Sequence, residues 1–385
     1  MNKQVKKICV ITGTRADYGI YYPVLSELEQ DDAFELSLIV TGMHLSQVYG
    51  NTIKEIEKDG FTIAAKVENL LQGATEGNMA RSVGLGIMGM TQAFESTTPD
   101  LVMVLGDRGE MLAAAIAASH LNIPVAHIHG GEVSGSIDES VRHAITKLSH
   151  LHFPSTEGSA KRIMNLGEER SRVHRVGAPR IDTIKTLELP NIETIFTDYS
   201  IKFSPEDYLL FVFHPVSTEV KGITTQIEAC MEALKELNKN TVVILPNSDA
   251  GNDKIFEVYD SYKNNEQFSF VTNFSPNDYL SVLKHARGLV GNSSSGIIEA
   301  ASFQLPVVNI GTRQNGRDRS DNVLDVAVNK EEIVQAAEKA LSPAFARQLE
   351  SLTNIYGDGT ASKSIVRTLK TLTFDDELIR KKITY

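Results

Sequence analysis

The chain has 385 residues, of which 42% are hydrophobic and 23% are charged, the composition of a soluble globular protein. This length exceeds what one ordinary hydrophobic core supports, so two domains are expected. The 49 acidic and 38 basic side chains give a formal charge of −11, which argues against nucleic acid or an anionic membrane as the main partner.

The N-terminal segment has lysines ahead of an apolar run, as signal peptides do, but the run lasts only about five residues before Gly13. No segment approaches the roughly 20 apolar residues that span a bilayer. The two cysteines, Cys9 and Cys230, lie in apolar stretches and are expected to be buried thiols in a reducing compartment. These features predict a cytoplasmic protein.

Short runs rich in Val and Ile alternate with longer segments of helical period in the first half of the chain. The runs KICVITG, LSLIVTG, LVMVLGD and PVAHIHG are typical of buried parallel strands. Helical spacing is found between them over residues 18–30, 79–96 and 111–120. This alternation predicts an α/β doubly wound, Rossmann-like domain over residues 1–185.

The alternation stops after Arg180, and a stretch with two prolines and no clear period predicts a linker, with at most one short helix, over residues 186–206. A second set of strand-like runs, YLLFVFHPV, TVVILPN, FSFV, RGLVGN and PVVNIG, predicts a second α/β domain over residues 207–365. The remaining residues, 366–385, are expected to be helical. A cleft between two such halves is the natural ligand site.

The first predicted strand ends in Gly13-Thr14-Arg15-Ala16-Asp17, which is not the G-x-G-x-x-G motif of dinucleotide sites. Arg15 stands at the strand tip, where such sheets bind ligands, and its planar fork suits a diphosphate. An ion pair with Asp17 or a neighbouring loop is the structural alternative.

Acidic and imidazole side chains follow two further strands of the first half. Asp107-Arg108 comes after LVMVLG, and His127-Ile128-His129-Gly130-Gly131-Glu132 ends the next strand. Carboxylates and imidazoles that converge from neighbouring strand tips are what proton transfer requires. His127-x-His129 also has a zinc-binding spacing, but hydrolases that use it draw further ligands from a barrel that this strand pattern does not predict.

Three further positions extend this set of candidate acid–base groups. Asp138-Glu139 begins a helix that carries Arg142 and His143 about one turn later. His214 ends the first strand of the second half and would face the cleft from the other side, although a structural role is an equal alternative.

The second half contains one prominent motif, Val290-Gly291-Asn292-Ser293-Ser294-Ser295-Gly296-Ile297-Ile298-Glu299. An apolar strand ends in Gly-Asn, and small hydroxyl residues then open a helix, where exposed amides and the helix dipole favour phosphate. Glu299 is placed to accept hydrogen bonds from the two hydroxyls of a ribose. Ordinary serine N-capping is the structural alternative.

Read together, these residues resemble the hydrolysing UDP-N-acetylglucosamine 2-epimerases, which include bacterial sialic-acid-pathway enzymes and the epimerase half of the animal bifunctional epimerase/kinase. The matching segments are found in order along nearly the whole chain, and their joint spacing is highly specific: residues 13–18, 41–45, 49–52, 105–108, 127–132, 137–147, 213–215, 246–251, 291–296 and 311–314.

This resemblance implies a GT-B fold, two Rossmann-like domains with a cleft between them and a C-terminal helix that packs back on the first domain. It implies that Ser293, Ser294 and Glu299 hold phosphate and ribose, that the loop around Phe274 contacts uracil, and that Arg15 and Arg313 address the diphosphate or its surroundings. Further substrate-binding residues are expected at Arg108, Glu132, Arg142, Ser295 and Gly296. His44 is expected to face the sugar. The catalytic region is expected to comprise Asp107, His129, Asp138, Glu139 and His214.

The animal enzyme has glutamate at the position of His129, so the resemblance does not identify the base, and Asp107, Asp138 and Glu139 remain candidates. The implied reaction needs no cofactor and no metal. It converts UDP-N-acetylglucosamine to N-acetylmannosamine and UDP for sialic acid biosynthesis. The alternatives are the same chemistry on UDP-N,N'-diacetylbacillosamine for legionaminic acid, a non-hydrolysing epimerase, a GT-B glycosyltransferase and a UDP-sugar sensor without turnover. A homodimer or homotetramer is expected by analogy.

Overall fold

The computed structural model describes residues 5–71, 76–133, 137–216, 222–246 and 252–384. The matching segment at 246–251 therefore lies almost wholly outside the described residues, as does part of the stretch between Glu132 and Ile137. The chain divides into two compact units: residues 1–185 together with 356–385, and residues 186–355.

The described strands are β1 (Lys6–Thr12), β2 (Phe34–Thr41), β3 (Ile63–Val67), β4 (Leu101–Leu105), β5 (Val125–Ile128), β6 (Leu151–Phe153), β7 (Leu209–Val212), β8 (Thr241–Ile244), β9 (Phe268–Val271), β10 (Gly288–Gly291), β11 (Val307–Ile310) and β12 (Val323–Val326). The described α-helices are α1 (Arg15–Glu29), α2 (Ile53–Asp59), α3 (Glu76–Thr97), α4 (Gly109–His120), α5 (Ile137–Leu148), α6 (Glu157–Asn165), α7 (Pro179–Thr186), α8 (Ile192–Asp198), α9 (Ile223–Leu237), α10 (Asn252–Tyr262), α11 (Pro276–His285), α12 (Ser294–Ile298), α13 (Lys330–Ala340), α14 (Pro343–Leu349), α15 (Ala361–Thr371) and α16 (Asp376–Ile379).

The first unit contains a six-stranded parallel sheet in the order β3-β2-β1-β4-β5-β6. Successive residues of β1 point to opposite faces, and both faces are covered. Ile8 and Val10 lie in a core with residues of α1 and α15, whereas Cys9 and Ile11 lie in a second core with residues of α3 and α4. Burial on both faces explains why the strand reads as a continuous apolar run.

The second unit repeats this plan with a six-stranded parallel sheet in the order β12-β11-β10-β7-β8-β9. Phe211 packs in a core with residues of α9 and α13, and Leu210 packs on the other face with residues of α8 and α11. The two sheets confirm the predicted pair of Rossmann-like α/β folds. Cys9 and Cys230 are buried free thiols, as predicted. Burial raises the pKa of both thiols, that of Cys9 to about 12.

The domain boundaries differ from the predicted ones at two places. The segment 186–206, predicted as a linker, belongs to the second unit because Ile192, Ile195 and Phe196 of α8 are buried in its core. Residues 356–365, predicted in the second domain, belong to the first unit because the carboxylate of Asp182 accepts hydrogen bonds from backbone N–H groups at the start of α15.

Helix α15 then packs against α1 within the first unit. Ile365 and Leu369 lie in the same core as β1, and the Lys6 ammonium donates to the backbone carbonyls of Leu369 and Leu372 at 2.9 and 2.6 Å. The cation thus satisfies carbonyl groups at the C-terminal end of the helix, where a positive charge is favourable. None of the described helices combines the length and apolar character needed to cross a membrane.

Candidate functional site

The strand order of the first unit reverses between β1 and β4, and ligands of open α/β sheets bind at the carboxyl ends of strands at such a point. The segment Gly13–Asp17 follows β1, and the segment Gly106–Glu110 follows β4. Thr14 caps α1 by accepting a hydrogen bond from the backbone N–H of Asp17 at 3.2 Å. The sequence therefore places its polar loops at the edge where open α/β sheets bind ligands.

Arg142 links the acidic residues of this edge. Its guanidinium is only 3% exposed; one nitrogen donates to the backbone carbonyl of Glu132 at 2.8 Å, and another contacts the Asp107 carboxylate closely. Arg142 lies in the middle of helix α5. A planar guanidinium that bridges a carboxylate and a carbonyl fixes both relative to each other.

Burial raises the pKa of Asp107 above its usual range, and the neighbouring Arg142 guanidinium only partly offsets this. The carboxylates of Asp138 and Glu132 raise the pKa further. A half-buried carboxyl group with a raised pKa, near a strand tip, is suited to accept a proton. Asp107 therefore combines a place near a strand tip with a raised pKa, as the more deeply buried Asp17 does at the start of α1.

His129 adopts a backbone φ of +61°, a left-handed conformation that residues other than glycine rarely take. Its Nδ1 lies 2.7 Å from Glu132 Oε1 and 2.8 Å from Ser155 Oγ. The following Gly131 has a φ of +76°, and a Cβ there would come 2.3 Å from the Ser159 carbonyl oxygen. A strained histidine costs about 1–3 kcal/mol and persists at functional sites where the surroundings enforce it.

Asp138 and Glu139 lie in the first turn of α5. Asp138 is exposed and acts electrostatically on Asp107, whereas Glu139 is half-buried and lies 3.8 Å from the His143 imidazole. The structure thus brings these two predicted carboxylates to the same edge as Asp107.

His127 lies in β5, whereas His129 lies beyond it, because β5 ends at Ile128 and the backbone of His129 turns into the left-handed region. His127 is fully buried; its Nε2 contacts the Gly106 carbonyl at 2.8 Å, and burial lowers its pKa to about 3. This contact ties β5 to the loop that follows β4. The residues that the structure describes contain no cluster of His, Cys, Asp and Glu suited to a metal ion.

His44 was expected to face the sugar, but the structure buries it completely. Its two ring nitrogens contact the hydroxyls of Thr12 at 3.0 Å and Thr52 at 2.7 Å. Burial lowers its pKa to about 4. The short 3-10 turn Gly42–Leu45 points the ring back toward β1, so His44 ties the loop to the sheet.

Arg15 is exposed and pairs with Glu55 of α2 at 3.2 Å, not with Asp17. Asp17 instead accepts a hydrogen bond from the backbone N–H of Gly13 at 3.3 Å, and burial raises its pKa to about 6 in spite of nearby Arg108. Arg108 lies 3.5 Å from the carboxylate of Glu110, which is 7% exposed. Glu110, beside Arg108, and Ser155, beside His129, were not predicted as site residues, because both lie outside the motifs.

The second unit has its own reversal of strand order, between β7 and β10. His214 follows β7, and its backbone exchanges two hydrogen bonds with the Asn292 side chain after β10, at 2.7 and 2.8 Å. Gly291 has a φ of +135°, and a Cβ there would come 2.0 Å from the Val212 carbonyl oxygen, so only glycine fits. Arg313 and Gln314 both donate to the Asn292 carbonyl, at 3.0 and 2.9 Å.

The small residues of this unit form the start of α12. Ser293 is its N-cap and accepts from the backbone N–H of Ser295 at 3.3 Å, while Ser294 is the first helical residue. The Ser295 hydroxyl donates to the Glu299 carboxylate. The close approach of α12 to the sheet requires Gly296, because a Cβ there would come 2.9 Å from Val307.

Phe274 lies in the loop before α11, half-buried, with its ring centroid 4.6 Å from that of Tyr199. The Tyr199 hydroxyl donates to Asp278 at 2.9 Å and accepts from the Ser275 backbone N–H at 3.1 Å. These contacts hold the backbone of the loop in one conformation.

Comparison with known proteins supports one family. The model of a family described as UDP-N-acetylglucosamine 2-epimerase matches residues 26–370. UDP-N,N'-diacetylbacillosamine 2-epimerase (hydrolyzing) of Legionella pneumophila is 43% identical over 382 residues, which cover 99% of this chain and 100% of that protein. GDP/UDP-N,N'-diacetylbacillosamine 2-epimerase (hydrolyzing) of Campylobacter jejuni is 37% identical over 344 residues, 88% of either chain.

Among solved structures, that of UDP-GlcNAc 2-epimerase from Neisseria meningitidis bound to UDP-GlcNAc superposes with a TM-score of 0.80 at 20% identity. The match covers 94% of this chain and 99% of that one. Together with the two six-stranded parallel sheets, this likeness confirms the predicted GT-B class of α/β fold.

Proposed function

Because the chain belongs to the UDP-N-acetylglucosamine 2-epimerase family, as its motifs predicted, we propose that it is a hydrolysing UDP-sugar 2-epimerase. It releases UDP from C1 of a 2-acetamido sugar and inverts the configuration at C2. The observation that carries this proposal is the set of ionisable side chains held at the strand tips of the first unit: Asp107, His129, Glu132 and Arg142.

The reaction begins when a base removes the C2 proton while the UDP group leaves C1, which gives a 2-acetamidoglucal. Water then adds at C1, and a proton returns to the opposite face of C2. Proton removal and return on opposite faces require more than one acid–base group. Asp107 is proposed as the base, because its raised pKa suits that task, with His129, Asp138 and Glu139 as the further acid–base candidates.

The C2 proton is weakly acidic, so the step depends on stabilising the charge of the leaving diphosphate. We assign this task to Arg15, Arg313 and His214, together with the amides and hydroxyls at the start of α12. Glu299 is proposed to hold the ribose, and the loop around Phe274 is proposed to contact uracil through its backbone. Arg108 is proposed to lie beside the substrate.

For the substrate we propose UDP-N,N'-diacetylbacillosamine, ahead of the UDP-N-acetylglucosamine that the sequence placed first. The relatives from Legionella pneumophila and Campylobacter jejuni, 43% and 37% identical, carry that sugar in their names and support this order. UDP-N-acetylglucosamine is the second candidate, because a UDP-N-acetylglucosamine 2-epimerase of Neisseria meningitidis is 35% identical over 338 residues. The two sugars differ at C4 and C6 only.

The test is the rate of UDP release from each sugar nucleotide, without any acceptor, in a coupled assay. We expect turnover of both compounds to free sugar and UDP, with kcat/KM at least about tenfold higher for the diacetamido sugar, the discrimination that one or two pocket contacts supply. A preference for UDP-N-acetylglucosamine would reverse the substrate order. UDP release that depends on an added acceptor would replace the epimerase by a glycosyltransferase.

A further inference from the structure

The surroundings of His129 fix which of its ring nitrogens carries a proton. Nδ1 lies within hydrogen-bond distance of two oxygens, Glu132 Oε1 at 2.7 Å and Ser155 Oγ at 2.8 Å. Ser155 Oγ in turn lies 3.3 Å from Glu132 Oε1 and donates its own proton there. An ionised carboxylate only accepts, so the Nδ1–H must donate to Glu132. The neutral ring therefore has a lone pair on Nε2.

Nε2 has no hydrogen-bond partner among the residues that the structure describes, although it is buried. Buried polar atoms are nearly always paired, and an exception at a strand tip indicates a group reserved for a ligand or a reaction. His129 itself has a left-handed backbone conformation directly after the end of β5.

Glu132 is also fixed from its backbone. Its carbonyl oxygen accepts from Arg142, whose other guanidinium nitrogen contacts Asp107. Its side chain is 8% exposed and the His129 side chain 11%, so water does not compete strongly for their hydrogen bond. Its backbone carbonyl and its side chain are thus both tied to other side chains of this edge.

We infer that Glu132 and Ser155 are positioning residues that hold His129 as the Nδ1–H tautomer, so that Nε2 is the atom that exchanges a proton with the substrate. This rests on the proposed epimerase function and replaces the substrate-binding role expected for Glu132. When Nε2 accepts a proton, the ring keeps Nδ1–H and becomes an imidazolium beside the Glu132 carboxylate. When the imidazolium donates a proton from Nε2 to the substrate, the neutral tautomer is restored.

The tautomer is measured directly by two-dimensional ¹⁵N–¹H NMR of protein labelled at histidine, with His129→Gln used to assign the signal. We expect the Nδ1–H form in the full-length protein and a mixture of tautomers in Glu132→Gln. An Nε2–H form in the unaltered protein overturns the inference, and this readout does not depend on any enzymatic activity.

Kinetics then test whether Glu132 acts through His129. We expect Glu132→Gln to lower kcat about 10–100-fold, the usual effect of losing a carboxylate that orients a functional histidine, with KM within about twofold. His129→Gln should lower kcat about 100-fold or more, and the double variant should match His129→Gln, because the pair acts as a unit. Additive losses, or a loss confined to KM, contradict the inference.

The matched control is Glu157→Gln, an exposed glutamate of α6 in the same unit whose side chain is 65% exposed. It should retain normal kcat and KM. Ser155→Ala should lower kcat less than Glu132→Gln does, because the carboxylate remains. If the unaltered protein releases no UDP from either sugar nucleotide, the proposed function fails, and the tautomer measurement still decides the inference.

Discussion

The replacement Asp107→Asn removes the proposed base while preserving the shape of the side chain. A positioned acid or base contributes about 10²–10⁴-fold to a rate, or about 3–5 kcal/mol of activation free energy. We therefore expect kcat to fall at least about 100-fold. The groups proposed to hold the diphosphate and the ribose, Arg15, Arg313 and Glu299 among them, lie outside the loop of Asp107, so the dissociation constant of UDP should stay within about twofold.

The structure also sets the cost of this change to folding. Arg142 is almost fully buried and loses its carboxylate partner, a loss that costs about 3–5 kcal/mol when the remaining charge is wholly buried and unpaired. Here the Asp107 side chain is 27% exposed, the asparagine oxygen still accepts, and Arg142 keeps the Glu132 carbonyl. We expect a loss of about 1–2 kcal/mol, which leaves the protein folded.

The assay combines coupled UDP release for kcat, calorimetric titration of UDP for binding, and thermal unfolding for stability. Asp260→Asn is the matched control, because Asp260 is an exposed carboxylate of α10 that pairs with Lys263. This variant should behave as the unaltered protein. Near-normal turnover in Asp107→Asn would remove this carboxylate from the mechanism. Loss of UDP binding together with turnover would instead show damage beyond the base.

Three other perturbations have defined outcomes. Glu299→Ala should weaken UDP binding about 10–100-fold in calorimetry, because hydrogen bonds to a charged group are worth about 1.5–3 kcal/mol; an unchanged affinity refutes the ribose role. Asp182→Ala should lower stability by about 2 kcal/mol and increase hydrogen exchange at the start of α15, whose N-cap Thr360 makes no side-chain cap of its own; unaltered exchange contradicts this. Denaturant titrations should show that stability declines as pH falls from about 6.5 toward 4. Burial lowers the folded-state pKa of His44 and His150 to about 4, so the unfolded chain binds more protons in that window. A flat profile there refutes the lowered pKa of these two histidines.

The fold could be predicted from local pattern because its strands are buried on both faces. Runs such as LVMVLGD are recognised as buried strands from their apolar composition. The predicted helices over 79–96 and 111–120 fall within α3 and α4. Strands β3, β6 and β12 were not singled out, because β6 has only three residues and a charged residue, Lys66 or Asp325, interrupts the apolar run of β3 and of β12.

Candidate site residues could be singled out from the sequence where one segment carries its own chemistry, as in the loops that contain Asp107 and Ser293, and their roles stay predictions. Contacts between residues that are far apart in the chain were not predicted. The burial of His44 depends on Thr12 and Thr52, and the start of α15 is fixed by a carboxylate 179 residues earlier. No periodicity encodes such pairings, since they arise only when the sheet is assembled.

The most direct test of the central claim is proton NMR of the two UDP-sugars with the protein in D2O. Elimination and rehydration predict free UDP and a free sugar of inverted configuration that carries deuterium at C2, because the proton returned to C2 comes from solvent. UDP together with the unaltered, undeuterated sugar would mean simple hydrolysis and would contradict the epimerase account.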